Sequence, residues 1–451
     1  MGNKTFYWTG HPFADAGLSA ILLLNNKQNP DEIDENDIKK AIEFASNLYA
    51  KNEWVRYLSG KIFPNNGFIM TNPSMSKKRS PENIAKNLWK LYENIPEILE
   101  PSSKERRCII CGRRVPYGKG DRSIFPLLGT GKMLNFFHSG NPKGEDICAH
   151  CIFLAQFMPL VAYNLSSVLV IHTYPYSKML RFYDESLRQV RISSLVPDAK
   201  GFRKPENFFF KLLIDITKNV ESSKYWKNTV VTLYYFINDN RSQNIDIIYI
   251  PNDILRFVAF AGEVDPEGWR NIVNMGWSKK DNLNFEEMEK TRVNEVYKKL
   301  LNDESILRYF YDGINKKVNA SWELLEFYCL EVLKLDKEAL DFIKDVGDRI
   351  IETIEKLNDN DLRKIVGELE RSTKLYEFEN FFIRVEKIRQ KNGIPRSLLT
   401  FDEFARLLMG YGEDITMSWK VVKDLLLFRI YEKLHDRLIK TSEENYEGDE
   451  K

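Results

Sequence analysis

The chain has 451 residues, too many for one ordinary hydrophobic core, so we expect two or three domains. Its 43% hydrophobic and 13% aromatic content excludes a largely disordered protein, and the formal net charge of +1 excludes a uniformly basic nucleic-acid coat. Neither a signal-peptide pattern nor an apolar run of about 18 residues is found, which predicts a cytoplasmic protein without a membrane partner.

The segment WTGHPFADAG, residues 8–17, places a histidine, an aspartate and two glycines close together. Because a residue that precedes proline avoids helical backbone angles, the His-Pro pair disfavours a helix at His11. Gly10 and Gly17 are expected to bracket a turn before the apolar run LSAILLL. Three interpretations follow: a structural turn, a grip on a ligand through His11, or acid–base catalysis by His11 and Asp15.

A polar and basic loop follows at residues 65–79. Amide side chains read base edges, and lysine and arginine bind phosphate groups. We therefore predict a nucleic-acid contact made by the polar and basic side chains of this loop: Asn65, Asn66, Asn72, Lys77, Lys78 and Arg79.

Four of the five cysteines form two CxxC pairs, Cys108–Cys111 and Cys148–Cys151, separated by 36 residues. Paired knuckles of this kind let four thiolates converge in the tetrahedral arrangement of a structural zinc site. We predict a structural Zn²⁺ in an inserted zinc-knuckle subdomain at about residues 104–152, with buried free thiols or an iron–sulfur cluster as alternatives. Disulfides do not persist in a reducing cytoplasm. His138 and His150 are expected to be neighbours rather than ligands.

The chain around the first knuckle is strongly basic. From Lys104 to Arg122, seven basic residues stand against two acidic ones. A loop that is held in place by a metal ion suits phosphate binding, because arginine donates two parallel hydrogen bonds and less ordering entropy is lost. The alternative is a solvated loop with ordinary surface charge. The predicted phosphate-binding residues are Arg106, Arg107, Arg113, Arg114 and Lys119.

Strands are expected in the middle of the chain. Residues 166–192 are predicted to form short strands joined by turns. The segment TVVTLYYFINDNRSQNIDIIYI contains two β-branched and aromatic runs around a polar loop, which predicts a hairpin at about residues 229–250.

Helical periodicity dominates from about residue 285 to 440. Thr400 and Glu403 form a capping box at the start of one helix, and WKVVKDLLLFRIYEKLHDRLIK predicts another. One helical face is marked by apolar residues at spacings of three and four: Ile343, Val346, Ile350, Ile354 and Leu357.

These patterns predict an α+β fold. An N-terminal mixed α/β domain that binds nucleic acid spans residues 1–285 and carries the zinc-knuckle insertion. A C-terminal helical bundle spans residues 286–440. Residues 441–451 carry five acidic side chains and one lysine and are expected to form an acidic disordered tail.

The segment TGHPFADAG, the CxxC pairs around a basic loop, the hairpin and the long helical C-terminal part together resemble the large subunit of type I-B CRISPR Cascade effector complexes, in the zinc-knuckle branch of that family. The resemblance covers about residues 5–440, and TGHPFADAG is its most specific element. It implies that the N-terminal domain lies near the 5′ handle of the guide RNA and helps to recognise the protospacer-adjacent motif (PAM) of target DNA. The C-terminal bundle is similar to the small subunits.

The resemblance also implies the partners of the chain. These are guide RNA, target double-stranded DNA, the backbone and small subunits of Cascade, and a helicase-nuclease that the chain helps to recruit in antiviral defence. His11 is then a candidate RNA contact and Asp15 a backbone anchor. Because the sequence offers no convincing catalytic set, we predict that the chain is not an enzyme. The alternatives are a metal-dependent nuclease that uses His11 and Asp15, and a zinc-stabilised interaction scaffold without nucleic acid.

Overall fold

The chain divides into two compact units, formed by residues 1–219, 226–252 and 286–292 and by residues 220–225, 253–285 and 293–451. The predicted α+β fold class is confirmed, with a helical C-terminal region and a four-cysteine cluster in the first unit. The computed structural model of the protein describes residues 4–96, 107–113, 118–129, 144–217, 222–241, 243–277, 283–409 and 415–439.

Helices and strands alternate in the first half of the chain, and helices prevail in the second. The helices are α1 Pro12–Leu24, α2 Glu35–Tyr49, α3 Asn52–Lys61, α4 Pro81–Glu93, α5 Ala149–Ala155, α6 Met179–Ser193, α7 Pro205–Thr217, α8 Ser222–Tyr225, α9 Asn252–Val264, α10 Pro266–Met275, α11 Phe285–Thr291, α12 Glu295–Leu301, α13 Trp322–Glu331, α14 Lys337–Ile354, α15 Asp359–Arg371, α16 Leu375–Lys391, α17 Phe401–Met409 and α18 Ile415–Leu438. The strands are β1 Gly118–Gly120, β2 Glu145–Ile147, β3 Tyr163–Asn164, β4 Val168–Tyr174, β5 Val230–Asn238, β6 Gln243–Ile250, β7 Tyr311–Asp312 and β8 Lys317–Val318.

An antiparallel sheet organises the first unit. Within the described residues it has four strands in the order β3-β4-β5-β6, and β5 and β6 form the predicted hairpin, which is confirmed. Helix α1 lies on one face, where Phe13 contacts Phe236 with ring centroids 4.6 Å apart. Helix α6 packs against α1, where the Arg191 guanidinium donates to the Leu23 and Leu24 carbonyls, both at 2.9 Å. The Tyr183 hydroxyl of α6 also accepts from the Ile171 amide of β4 and donates to the Ile171 carbonyl, so both helices contact β4 and each other.

The prediction for residues 166–192 is correct for β4 and wrong for the residues after it. Those residues form the long helix α6 instead of further short strands. Leu180, Tyr183, Leu187 and Val190 are buried and recur at spacings of three and four, which is the period of a helix face. The aromatic and β-branched residues of this stretch obscured that period.

The prediction of a turn over residues 10–17 is wrong for residues 12–17, which are helical. Helix α1 begins at Pro12, directly after His11, whose extended backbone and side chain cap the helix. Gly17 therefore lies inside the helix. Its missing side chain permits close packing against α5, since a Cβ atom at this position would lie 1.7 Å from the carbonyl oxygen of Leu154.

We expect Gly17→Ala to destabilise the protein. The added methyl group would meet a backbone oxygen, so relief requires α1 and α5 to move apart, and overpacking of this kind costs about 1–3 kcal/mol. Urea unfolding measures the loss. Gly60→Ala is the matched control, because Gly60 lies in α3 with nothing within 4 Å of its Cβ position. Equal midpoints for the two variants would contradict the close α1–α5 contact.

The second unit is built mainly of helices whose predicted patterns are largely confirmed. Four of the five predicted face residues lie buried on α14, and Leu357 follows the end of that helix. The capping box is present before α17: the Thr400 amide donates to Glu403 Oε2 at 2.9 Å, and the Glu403 amide donates to Thr400 Oγ1 at 3.2 Å. The helix predicted from Trp419 is confirmed as far as Leu438, where α18 ends.

None of the described helices is both long enough and apolar enough to cross a membrane. The predicted acidic tail at residues 441–451 lies outside the described residues. The assignment of nucleic-acid binding to residues 1–285 and of a small-subunit-like bundle to residues 286–440 stays a prediction.

Candidate metal centre and basic loops

The first knuckle is a tight turn that carries Cys108 and Cys111. The Gly112 amide donates to the Cys108 carbonyl at 2.8 Å, and the Cys108 amide donates to the Arg113 carbonyl at 2.9 Å. Gly112 has φ +70°, a left-handed conformation that glycine adopts without the steric cost of a Cβ atom. The turn thereby directs both thiols to the same side.

The second knuckle is the start of helix α5. Cys148 caps this helix, with its Sγ accepting from the Cys151 amide at 3.4 Å, and Cys151 lies in the first turn. The Ile109 amide of the first knuckle donates to the Asp146 carbonyl of β2 at 2.9 Å. This backbone bond joins the two knuckles, although they lie far apart in the sequence.

All four sulfur atoms converge. The Sγ atoms of Cys108, Cys111, Cys148 and Cys151 lie within 4.8 Å of one another, and those of Cys111 and Cys148 are 3.8 Å apart. Tetrahedral thiolate ligands at the zinc–sulfur distance of about 2.3 Å have sulfur atoms about 3.8 Å apart. The four cysteines are therefore arranged to hold a metal ion, and the donor set and spacing fit a zinc knuckle.

The electrostatics of the four thiols also favour a cation. Hydrogen bonding to the Cys108 thiol lowers the pKa of Cys111 and raises the pKa of Cys148, while burial raises the pKa of Cys151. A single thiolate in this cluster is therefore stabilised by neighbouring thiols that stay protonated and donate hydrogen bonds to it. A divalent cation would stabilise several deprotonated thiols at once, because its charge offsets the repulsion between the thiolates.

A stack of side chains covers the cysteine cluster. The Tyr7 hydroxyl donates to Cys111 Sγ at 3.6 Å, and burial followed by the charge of Cys111 raises the pKa of Tyr7, so the donor stays protonated. The Tyr7 ring lies between the Arg113 guanidinium, 3.2 Å from the ring centroid, and the His150 ring, 4.1 Å between centroids. Sequence reasoning missed Tyr7, because no spacing links it to the knuckles.

His150 is the described histidine that lies beside the knuckles. His150 is buried beside the cysteines, and burial lowers its pKa to about 3, so the ring is neutral. The four converging ligand atoms all come from cysteines, as predicted, with His150 as a neighbour. His138 lies outside the described residues.

The predicted role of Asp15 as a backbone anchor is confirmed. Its carboxylate is fully buried and accepts from the Thr9 amide at 2.7 Å, the Thr9 hydroxyl at 2.8 Å and the Gly10 amide at 2.9 Å. His172 on β4 approaches the same carboxylate, with Nε2 3.1 Å from Oδ2. Asp15 thus ties the segment before α1 to the sheet. Sequence reasoning missed His172, which lies 157 residues away in the chain.

His11 lies in an apolar setting. Its Nδ1 accepts from the Phe13 amide at 3.3 Å, and its ring packs edge-on against Phe125 with centroids 4.9 Å apart. Burial, with a smaller effect of His172, lowers the pKa of His11 to about 3, so its ring is neutral. An RNA contact by His11 stays a prediction.

Lysines are exposed in the loop at residues 65–79. Lys77 and Lys78 are exposed at the end of a short 3-10 helix, and Asn72 caps this helix by accepting from the Ser74 amide at 2.9 Å. Arg79 is half-buried, and its Nε donates to the Met70 carbonyl at 2.8 Å. The two lysines are the charged groups of this loop that face solvent most fully.

The two neighbouring asparagines of this loop differ in their surroundings. Asn65 is exposed and donates to the Asn240 side chain at 3.0 Å. Asn66 is fully buried, donates to Gln156 Oε1 at 3.0 Å and accepts from the Ile69 amide at 3.0 Å. A base contact by Asn66 would require these internal hydrogen bonds to break.

The basic residues around the first knuckle are only partly described. Arg107 is exposed, and Lys119 on β1 is exposed and pairs with Asp146 at 3.0 Å. Arg113 is half-buried over the Tyr7 ring. Arg106 and Arg114 lie outside the described residues.

Comparison with known proteins relates the knuckle region to one family. Residues 101–163, which contain both CxxC pairs, match the family described as CRISPR-associated protein (Cas_CXXC_CXXC). This match relates the segment to CRISPR-associated proteins with a CXXC–CXXC motif and supports a CRISPR-related role. The chain has no match among the curated proteins or the solved structures.

Proposed function

We propose that the chain is the large, non-catalytic subunit of a type I-B CRISPR RNA-guided DNA-surveillance complex. The observation that carries the proposal is the four-cysteine centre, with three of its cysteines buried, which lies within the segment that matches the CRISPR-associated family. Zinc is the proposed ion. In this role it fixes the first knuckle against β2 and α5 and so orders the basic chain around it.

In the proposed role, the guide RNA and the protein recognise different parts of the target DNA. In RNA-guided complexes, base pairing with the guide reads the target sequence, whereas protein reads a short duplex motif and the backbone. The first unit of this chain would contact the 5′ handle of the guide RNA and the PAM, and the chain would help to recruit the helicase-nuclease. The exposed Lys77, Lys78 and Arg107 are available for phosphate contacts, whereas Lys119 would first have to leave its ion pair with Asp146.

We expect Lys77→Ala combined with Lys78→Ala to weaken binding to duplex DNA without affecting the fold. Each lost phosphate contact flattens the dependence of log affinity on log salt by about 0.9, so the double variant should flatten it by up to about 1.8. Fluorescence anisotropy of the assembled complex with target duplex at several salt concentrations measures the slope. Lys39→Ala with Lys40→Ala, two exposed lysines of α2, is the matched control. Identical slopes for both double variants would exclude the loop as a DNA contact.

Assembly tests the proposal as a whole. The chain is expected to co-purify with guide RNA and the backbone subunits when all are co-expressed, and target binding should fall steeply with salt. Failure to assemble, or target binding that does not change with salt, would overturn the proposal. Assembly with salt-independent binding would instead favour the zinc-stabilised scaffold.

The nuclease alternative is tested separately. A nuclease that uses His11 and Asp15 should degrade DNA or RNA in the presence of Mg²⁺ or Mn²⁺ and lose this activity in His11→Ala. In the structure the Asp15 carboxylate already accepts three hydrogen bonds from Thr9 and Gly10, which a bound metal ion would have to displace. Our proposal expects no cleavage by the purified chain.

A further inference from the structure

Among the residues that the structure describes, one face of the central sheet is only partly covered by other elements. Helix α1 covers β4 on this face through the Asp15–His172 contact, and strand register aligns the uncovered positions across β5 and β6. Successive side chains of a strand point to opposite faces, so aligned positions at a period of two share a face. We name the uncovered group the open sheet face, and its members are Tyr174, Val230, Thr232, Tyr234, Ile247 and Tyr249.

The open sheet face is apolar and exposed. Tyr174 is 62% exposed, Ile247 59% and Tyr249 54%, and Val230 is also exposed. Ile247 lies directly opposite Tyr234, and Tyr174 lies opposite Val230. Contiguous apolar surface of this kind marks a site that another molecule covers.

Strand β6 lies at the edge of the same sheet. Among the described strands it pairs only with β5, so its outer backbone amides and carbonyls face away from the sheet. Exposed edge strands are usually protected by charged side chains, proline or a bulge. Strand β6, with the sequence QNIDIIYI, has one charged residue, Asp246, has no lysine or proline, and pairs with β5 in continuous register. An edge with a single charge beside an apolar face is suited to an added strand.

We infer that β6 binds an extended strand of a different protein chain, which adds to the sheet edge and lays alternate apolar side chains along the open sheet face. A protein strand is favoured over nucleic acid, because the edge of β6 offers backbone donors and acceptors and the six residues of the face include no lysine or arginine to bind phosphate. The charge of Asp246 also argues against the β6 strand of a second copy of this chain as the partner. Asp246 on β6 is exposed, and β6 itself contains no cation that could pair with it. The partner strand carries lysine or arginine opposite Asp246.

Photo-cross-linking identifies directly which molecule binds at β6 and the open sheet face. The full chain with p-benzoylphenylalanine in place of Ile247 is expressed in its native cells and irradiated, and the cross-linked peptide is sequenced by mass spectrometry. The expected adduct is a segment of another protein with apolar residues at alternate positions and a basic residue between them. Tyr249 is a second labelling position, which keeps the test valid if the first variant folds poorly. The same label at Ile192, an exposed residue of α6, is the control.

A synthetic peptide of the cross-linked segment then tests the binding mode. It should protect the β6 amides from hydrogen exchange in the full chain, and Asp246→Lys should weaken its affinity about fivefold. Asp184→Lys, a charge reversal at an exposed residue of α6, should leave the affinity unchanged. The inference is overturned by adducts only to nucleic acid or to a second copy of this chain, by yields no higher than at Ile192, or by a peptide that leaves β6 unprotected.

Discussion

Cys148→Ser is expected to abolish metal binding and to lower the thermal stability of the first unit sharply. The Cys148 thiol lies 3.8 Å from that of Cys111 in the four-sulfur cluster, and serine is a poor ligand for a thiolate-binding ion. Structural zinc contributes apparent folding free energy on the order of 10 kcal/mol in small zinc domains. Elemental analysis of the purified chain should fall from about one zinc ion per chain to near zero, and calorimetry should show the lowered unfolding temperature.

The choice of serine isolates the effect of the metal. Cys148 also caps α5, and serine is itself a favoured capping residue, so the start of the helix is preserved. Cys329→Ala is the matched control, because Cys329 is buried in α13 of the second unit and should leave the metal content unchanged. Full metal content in Cys148→Ser would contradict the four-cysteine centre, and strong visible absorption by the wild-type chain would indicate an iron–sulfur cluster instead of zinc.

Asp15→Ala is expected to destabilise the protein by about 3–5 kcal/mol, because each buried donor left without its acceptor costs about 1–3 kcal/mol. The substitution leaves the amides of Thr9 and Gly10 without their acceptor and leaves His172 beside an empty position. Guanidinium unfolding followed by circular dichroism measures the loss. The same change should loosen the segment before α1, which hydrogen exchange of the Thr9 and Gly10 amides would detect.

Two further variants test whether the loss of stability comes from removing the buried carboxylate of Asp15. Asp15→Asn keeps one side-chain acceptor and should lie between the wild type and Asp15→Ala in stability. Asp184→Ala, at an exposed position of α6, should change stability by no more than about 0.5 kcal/mol. If Asp15→Ala unfolds at the wild-type midpoint, the carboxylate is not an anchor and its burial needs another explanation.

Features with a local pattern were predictable from the sequence. The CxxC spacing predicts the metal cluster because two residues between ligands are enough to shape each knuckle, and the Thr400–Glu403 box is formed within one helical turn. The β5–β6 hairpin is likewise a contact between neighbours in the chain. Each of these depends on backbone geometry that a few adjacent residues determine.

Features that depend on tertiary contacts were not predictable in the same way. Tyr7 and Cys111 are 104 residues apart, and no spacing rule connects an aromatic residue near the start of the chain to a knuckle. His172 reaches Asp15 only because α1 lies across β4. Helix α6 was misread because its tyrosine, valine and isoleucine residues also suit strands, and burial of one helix face against α1 and β4 outweighed that local preference.

The chain between the two knuckles is anchored at both ends, because it leaves the cysteine cluster at Cys111 and returns to it at Cys148. The described part of this chain is packed into the first unit, because Phe125, Leu127 and Leu128 are fully buried and the Asn238 side chain donates to the Arg122 carbonyl at 3.0 Å. Loss of the metal ion would therefore release the ends of a segment that also supplies part of the hydrophobic core of the unit.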